Sequence, residues 1–389
     1  MKEKATGSKK AAQEPHAILD VETEELVIAN EQIKKVTLKH CLNALKDNNP
    51  GPEVKSIVDL VNKVHDARMK EPDEEEMEVS KEDFDEVLEK VERKHKQSYD
   101  FITKTGVGFK SSIFKLCRRV IKQEEVPSRF FETKLHQLWK RKYPRENLSN
   151  HRFIHMKDWL PKLSEGLLVS KMKANILDSG TKYQIGGKPC HRVEEHLITA
   201  KALISRSIIA EGGCMIQLVD IQCFFDAESL RGVMGSLYTA KIPMKAYRMW
   251  FKLNSKTVIQ VATPSGMTEK GEAGELRGQG SGGAALASQL DIDLGIKNYF
   301  ENSKDEASYG SVRIQQQTFQ DDIQRIATNV SSARIGNVKL ERMLSERLLS
   351  CHPKKTCFVL VGSLKYKKQV KKELEICPLK FGEFDMKEK

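Results

Sequence analysis

Eight cysteines are scattered along 389 residues, and none forms a Cys-x-x-Cys pair or stands beside histidines at ligand spacing. Neither a zinc site nor a disulfide framework is therefore indicated, and a reducing, intracellular setting (cytoplasm or nucleus) is expected. The N-terminus, Met1 to Pro15, is lysine-rich and has no apolar stretch, so it reads as neither a signal peptide nor a membrane span. No membrane partner is expected. The glycine-rich segment Leu276-Arg277-Gly278-Gln279-Gly280-Ser281-Gly282-Gly283 lacks the Gly-Lys-Ser/Thr ending of a triphosphatase loop and the spacing of a dinucleotide fingerprint.

Positive charge is what the chain does have. Lysine and arginine total 65 against 54 acidic residues, a formal charge of +11 and a pI near 9.1, which favours a polyanionic partner. A hydrophobic content of 39% over this length suits a globular protein of two or three domains or subdomains. Residues 1–20 offer almost nothing apolar and read as a disordered basic tail. Apolar periodicity predicts a helix from Glu24 to Lys46, stopped at Asn48-Asn49-Pro50-Gly51-Pro52, and another from Val54 to Met69. Ser80 with Asp83 predicts a capping box opening a third helix, so residues 21–97 read as a helical linker or interaction region.

From residue 98 the composition shifts. The runs Gly106 to Lys122 and Ser128 to Lys142 read as helices that interleave aromatic and basic residues, among them Lys140, Arg141 and Lys142. Cys214 to Val219 is mostly apolar and ends in Asp220, the pattern of a buried strand delivering an acid to a sheet edge. Thr257 to Ala262 predicts a strand with its hairpin partner across the segment 266–274. Asp321 and Asp322 fall between the short runs Val312 to Ile314 and Ile323 to Ala327, which predicts a hairpin with an acidic tip. At such a tip both carboxylates can face one space, where a divalent cation finds hard oxygen ligands. If the Asp220 strand is its neighbour, three carboxylates converge, as two-metal phosphoryl transfer requires.

Taken in order, Asp220-Ile-Gln-Cys-Phe-Phe225-Asp226, Arg277-Gly-Gln279-Gly280, Phe319-Gln-Asp321-Asp322 and Pro353-Lys-Lys355-Thr356 resemble motifs A to D of reverse transcriptases, the RNA-directed DNA polymerases. The closest likeness is to retrotransposons lacking long terminal repeats. Arg152, Lys162 and Gln184-Ile185-Gly186 are similar to the fingers motifs of the same family. The resemblance implies an α+β fold: a right-hand fingers and palm, the palm a split β-α-β antiparallel sheet with helices on one face, after a helical N-terminal region. It implies fingers at residues 98–205, a palm at 206–376 with a fingers insertion at about 241–275 and the start of a primer-grip region at 377–389; the family would continue into a primer-grip hairpin and a helical thumb, and neither is expected here.

The same resemblance implies roles. Asp220, Asp321 and Asp322 would bind Mg²⁺ (or Mn²⁺), and Lys355 would protonate the pyrophosphate leaving group. Arg152 and Lys162 would clamp the triphosphate beside Gln184, Phe225 would exclude a 2′-hydroxyl, and Gln279 with Gly280 would lie beneath the templating pair. An RNA template, a DNA primer and deoxynucleoside triphosphates are the expected partners. Where the family has an aromatic followed by a small residue, this chain has Phe319-Gln320. The alternative is a catalytically inactive RNA-binding remnant, or a domesticated retroelement module.

Overall fold

The computed structural model describes residues 17–44, 52–73, 77–94, 102, 104–181, 184–186, 188, 191–275, 282–300, 307–309, 312–314, 316–319 and 322–389. They form a mixed α+β structure. Strands β1 (Ile18–Leu19) and β2 (Leu26–Val27) pair antiparallel, so α1 starts at Asn30 (Asn30–Ala44) rather than at Glu24 as the periodicity suggested. Helices α2 (Pro52–Arg68), α3 (Lys81–Lys94) and α4 (Val107–Gln123) follow. The capping box is present: Ser80 N donates to Asp83 Oδ2 at 2.8 Å, and Asp83 N donates to Ser80 Oγ at 3.1 Å.

The stretch expected to be a helix over Ser128 to Lys142 is instead mostly strand β3 (Glu132–Trp139). Thr133 and Leu135 are buried while Lys134 and His136 between them are exposed, a period of two in which the basic side chains take the open face. Strand β4 (His151–Lys157) pairs antiparallel with β3, matching Leu138 to Arg152. Helices α5 (Trp159–Ser179) and α6 (Val193–Glu211) lead to β5 (Gly213–Asp220). The short α7 (Phe224–Ala227), α8 (Leu230–Thr239) and α9 (Met244–Asn254) come next. Strand β6 (Thr257–Thr263) then runs parallel to β3 and pairs with β7 (Gly266–Met267) and β8 (Gly271–Gly274), so its antiparallel partners lie within the segment 266–274 rather than across it.

Helix α10 (Gly282–Phe300) leads to β9 (Ala307–Tyr309), β10 (Val312–Ile314), β11 (Gln316–Phe319) and β12 (Asp322–Ala327). The acidic hairpin exists, but its first arm is β11; Val312 to Ile314, the arm expected, pairs with β9 instead. Helix α11 (Val330–Ser345), β13 (Cys357–Gly362), α12 (Leu364–Ile376), β14 (Lys380–Phe381), β15 (Phe384–Asp385) and β16 (Lys387–Glu388) complete the order. A second sheet has the order β11-β12-β5-β13-β16, with β5 antiparallel to both neighbours.

The C-terminal segment departs from expectation. No hairpin was expected after the last helix, yet β14 and β15 form one around Gly382, whose φ of +56° suits a residue without Cβ. Phe381 and Leu379 are buried, and Gly382 N donates to Glu341 at 3.1 Å. The apolar residues of Leu379 to Met386 thus close over α11, and β16 adds itself parallel to the start of β13.

Two cores meet at α10. Ala287, Leu290 and Leu294 pack with Leu163, Leu167, Tyr247 and Trp250, whereas Ile292, Ile296 and Phe300 pack with Met215, Ile323, Leu340 and Leu360 beneath the second sheet. A helix with apolar residues on opposite faces is one buried between layers, and the acids it carries, Asp291 and Asp293, are buried with it. Gly283 is what admits it, since a Cβ there would overlap the Trp250 ring. Helix α3 is part of the first core through Phe84, Val87 and Leu88 rather than standing off as a linker. Helix α2 docks through His65, whose Nδ1 lies 2.8 Å from the Tyr247 hydroxyl. Arg248 adds ion pairs to Asp73 and Glu124, each at 2.7 Å. No helix among the described residues is long and apolar enough to cross a membrane.

Candidate active site

The second sheet brings two of the expected acids together. Asp220, the last residue of β5, is the cross-strand partner of Asp322, the first residue of β12. Directly opposed residues on neighbouring strands share a face, with Cβ atoms about 5 Å apart. Burial raises the Asp322 carboxyl above its ordinary pKa, the Asp220 charge raises it further, and Lys355 pulls it down.

Lys355 is placed by the turn that precedes β13. Its Nζ lies 3.0 and 2.7 Å from the two Asp220 carboxylate oxygens. The turn is tied to the end of β5 by the main chain: His352 N donates to the Asp220 carbonyl at 2.8 Å, and Gln222 N donates to Ser350 O at 2.8 Å. Asp220, Asp322 and Lys355 therefore form one polar cluster at a sheet end.

Other expected residues surround it less directly. Phe225 is half-buried against the second core, its ring centroid 4.9 Å from that of buried Phe224. Arg152 is exposed on β4, and Lys162 is half-buried in the first turn of α5, where burial lowers its pKa and Glu165 and Asp158 oppose the change. Gln184 is buried; its Oε1 accepts from Gly186 N at 3.0 Å and its main chain bridges Thr318 of β11. It thus joins the expected fingers loop to the acidic hairpin rather than facing solvent. Asp321, Gln279 and Gly280 lie outside the described residues.

Lys140, just after β3, donates from Nζ to the Ser149 carbonyl at 2.9 Å. Burial lowers its pKa; Cys223, in the turn after Asp220, and Asp226, in α7, act to raise it, while Arg152 and Lys142 lower it. Burial raises the Cys223 thiol pKa, Asp226 and Asp220 raise it further, and Lys140 and Lys355 act to lower it.

Sequence reasoning missed the polar interior behind the acids. Gln217 and Arg325 are cross-strand partners on β5 and β12. Arg325 Nη1 donates to Gln217 Oε1 at 3.2 Å, Gln217 Nε2 donates to Asn337 Oδ1 at 2.7 Å, and Asn337 Nδ2 donates to the Lys380 carbonyl at 2.8 Å. Gly336 makes room, because a Cβ there would overlap the Arg325 guanidinium. The available signal was Gln217 in the middle of the otherwise apolar run Cys214 to Val219.

Among the described residues no group of three or more His, Cys, Asp or Glu side chains is arranged to hold a metal ion. Asp220 and Asp322 nevertheless fit a hard cation, offering carboxylate oxygens on one face with a mutual repulsion that Lys355 offsets only in part.

Over 206 residues the chain is 26% identical to the Retrovirus-related Pol polyprotein from type-1 retrotransposable element R2 of Nasonia vitripennis, a match covering 52% of this chain and 18% of that protein. The chain is reverse-transcriptase-like. It spans less than a fifth of that relative's length. No profile of a known protein family matches it. Two solved telomerases align loosely. One is from Candida albicans in complex with a TWJ fragment of telomeric RNA, with a TM-score of 0.44, 10% identity, 61% of this chain and 43% of that one. The other is apo telomerase from Candida tropicalis truncated from its C-terminal domain, with a TM-score of 0.41, 11% identity, 61% of this chain and 51% of that one. Neither alignment is close enough to carry the assignment.

Proposed function

We propose that this reverse-transcriptase-like chain is the fingers and palm of an RNA-directed DNA polymerase, adding deoxynucleotides to a DNA primer on an RNA template. The observation that carries this reading is the direct pairing of Asp220 with Asp322, with the Lys355 ammonium on Asp220. Asp220, Asp321 and Asp322 would hold Mg²⁺ (or Mn²⁺), whose charge would stabilise the attacking and leaving oxygens of an in-line displacement. Lys355, already a donor at Asp220, would pass a proton to the pyrophosphate leaving group.

Arg152 and Lys162 would bind the triphosphate, with Lys140 at the end of β3 adding charge. Phe225, held between the acidic turn and the second core, would close against the sugar and exclude a 2′-hydroxyl; Gln279 and Gly280 would underlie the templating pair. Gln184 serves this reading as a main-chain tie to the hairpin. The β14–β15 hairpin and β16, joined to the sheet beside Cys357, would serve this reading as the start of a primer-grip region.

Single-nucleotide addition to a DNA primer annealed to RNA, with Mg²⁺ and either deoxy- or ribonucleotides, tests the reading. Wild type should prefer deoxynucleotides, and Phe225→Val should raise ribonucleotide incorporation relative to them. Binding of the RNA–DNA duplex with no addition under any metal would instead support the RNA-binding alternative.

A further inference from the structure

We propose that Asp293 is a positioning residue for this site: from α10 its buried carboxylate holds the loop after α5, and that loop holds strand β11 of the acidic hairpin. The proposal rests on reading that hairpin as catalytic. Asp293 is 1% exposed. Thr181 donates to it twice, its main-chain N to Oδ2 at 2.5 Å and its hydroxyl to Oδ1. Lys188 Nζ lies 3.9 Å from Oδ2 and also donates to the Thr181 carbonyl. One carboxylate therefore gathers both flanks of the loop.

Between those flanks the loop grips the hairpin. Gln184 bridges Thr318, and Ile185 N donates to the Thr318 carbonyl at 3.2 Å. Thr318 is fully buried, and its partner across the hairpin is Ile323, adjacent to the Phe319–Asp322 pair. Among the described residues, strand β11 is the outer strand of its sheet, paired there with β12. An edge strand of four residues has few hydrogen bonds of its own, so contacts on its outer side decide how firmly it is held.

The base of this clamp is rigid. Asp291, two residues earlier on α10, accepts from the Ser236 hydroxyl at 2.5 Å and pairs with Arg347 at 3.2 Å, fixing the helix to α8 and to the segment after α11. A carboxylate suits the position because both of its oxygens accept, whereas an asparagine offers one acceptor to the two Thr181 donors. Burial lifts the Asp293 pKa to about 6, while Thr181, Lys188 and Lys297 act to keep it ionised.

Hydrogen exchange on the full chain tests the clamp without requiring activity. Asp293→Asn should speed amide exchange in peptides covering Thr318 by about tenfold or more, with peptides from α8 and α9 unchanged. Thr181→Val, which removes only the hydroxyl bond, should shift the same peptides by less, and it carries the test if Asp293→Asn does not fold. In primer extension the folded variant should lose turnover by about tenfold to a hundredfold at unchanged duplex affinity, since a misplacement of about 1 Å suffices for that. Wild-type exchange at Thr318 in both variants would overturn the clamp, whatever the activity. Faster exchange in a chain whose wild type never extends a primer would uphold the clamp and overturn only the catalytic reading.

Discussion

Asp322 faces Asp220 across the β12–β5 ladder, and the only one of the two to be offered a cation at hydrogen-bond distance among the described residues is Asp220, by Lys355. The pair is thus half-compensated. Burial and the neighbouring charge both push the Asp322 carboxyl upward, a repulsion that a bound cation would relieve.

Lys355→Met separates chemistry from stability. The ion pair is half-exposed on the lysine side, so its loss should change unfolding free energy by less than about 1 kcal/mol. Removing a general acid should slow extension by about a hundredfold or more. Denaturant melts and steady-state extension on one preparation check both. Unaltered turnover would take Lys355 out of the reaction.

The interior network should behave in the opposite way. Arg325→Met leaves the Gln217 side chain short of its donor in a buried setting and should cost about 2–4 kcal/mol, measured by urea unfolding. Gly336→Ala should cost a comparable amount, because its methyl group displaces the same guanidinium.

The parts of this site legible in the sequence were those that local pattern specifies. Cys214 to Asp220 reads as a strand because apolar residues run unbroken to a terminal acid, apart from Gln217. Ser80 and Asp83 announce their cap within a single turn. The β3 strand was misread because Lys134 and His136 alternate with buried residues over a stretch whose aromatics and bases also suit a helical face. Gln217 and Asn337 are 120 residues apart, and no local pattern announces a bond of that reach. The start of α11 carries a local signal of the same kind as the Ser80 cap: Asn329 Oδ1 accepts from Ser332 N at 2.8 Å, an N-cap immediately before Val330.

Acid should loosen the N-terminal helices first. His65 is buried against Tyr247 and Phe251, and its pKa falls to about 4, chiefly through burial and then Arg231, with Asp66 opposing. An unfolded histidine titrates near 6.5, so between about 6.5 and 4 the unfolded chain binds more protons and stability falls as pH falls. The contribution is fully present above about 6.5. Thermal melts from pH 7.5 to 4.5 should show a decline to which His65 contributes of order 2 kcal/mol beside the share of buried His155, and His65→Gln should make it shallower by that amount. Equal slopes for both proteins would place the titrating group elsewhere.

The central claim is that Asp220 and Asp322 act together on a nucleotide. Its most direct test is Mg²⁺-dependent addition of one deoxynucleotide to an RNA-templated DNA primer by wild type, Asp220→Asn and Asp322→Asn, each first shown to be folded by circular dichroism. Wild type should add the nucleotide. Each variant should fall by about a thousandfold or more; Asp322→Asn should melt at or slightly above the wild-type temperature, since it removes one of two repelling charges, while Asp220→Asn, which also gives up the Lys355 ion pair, should stay within about 1 kcal/mol of wild type. Addition by either variant at the wild-type rate would contradict the account.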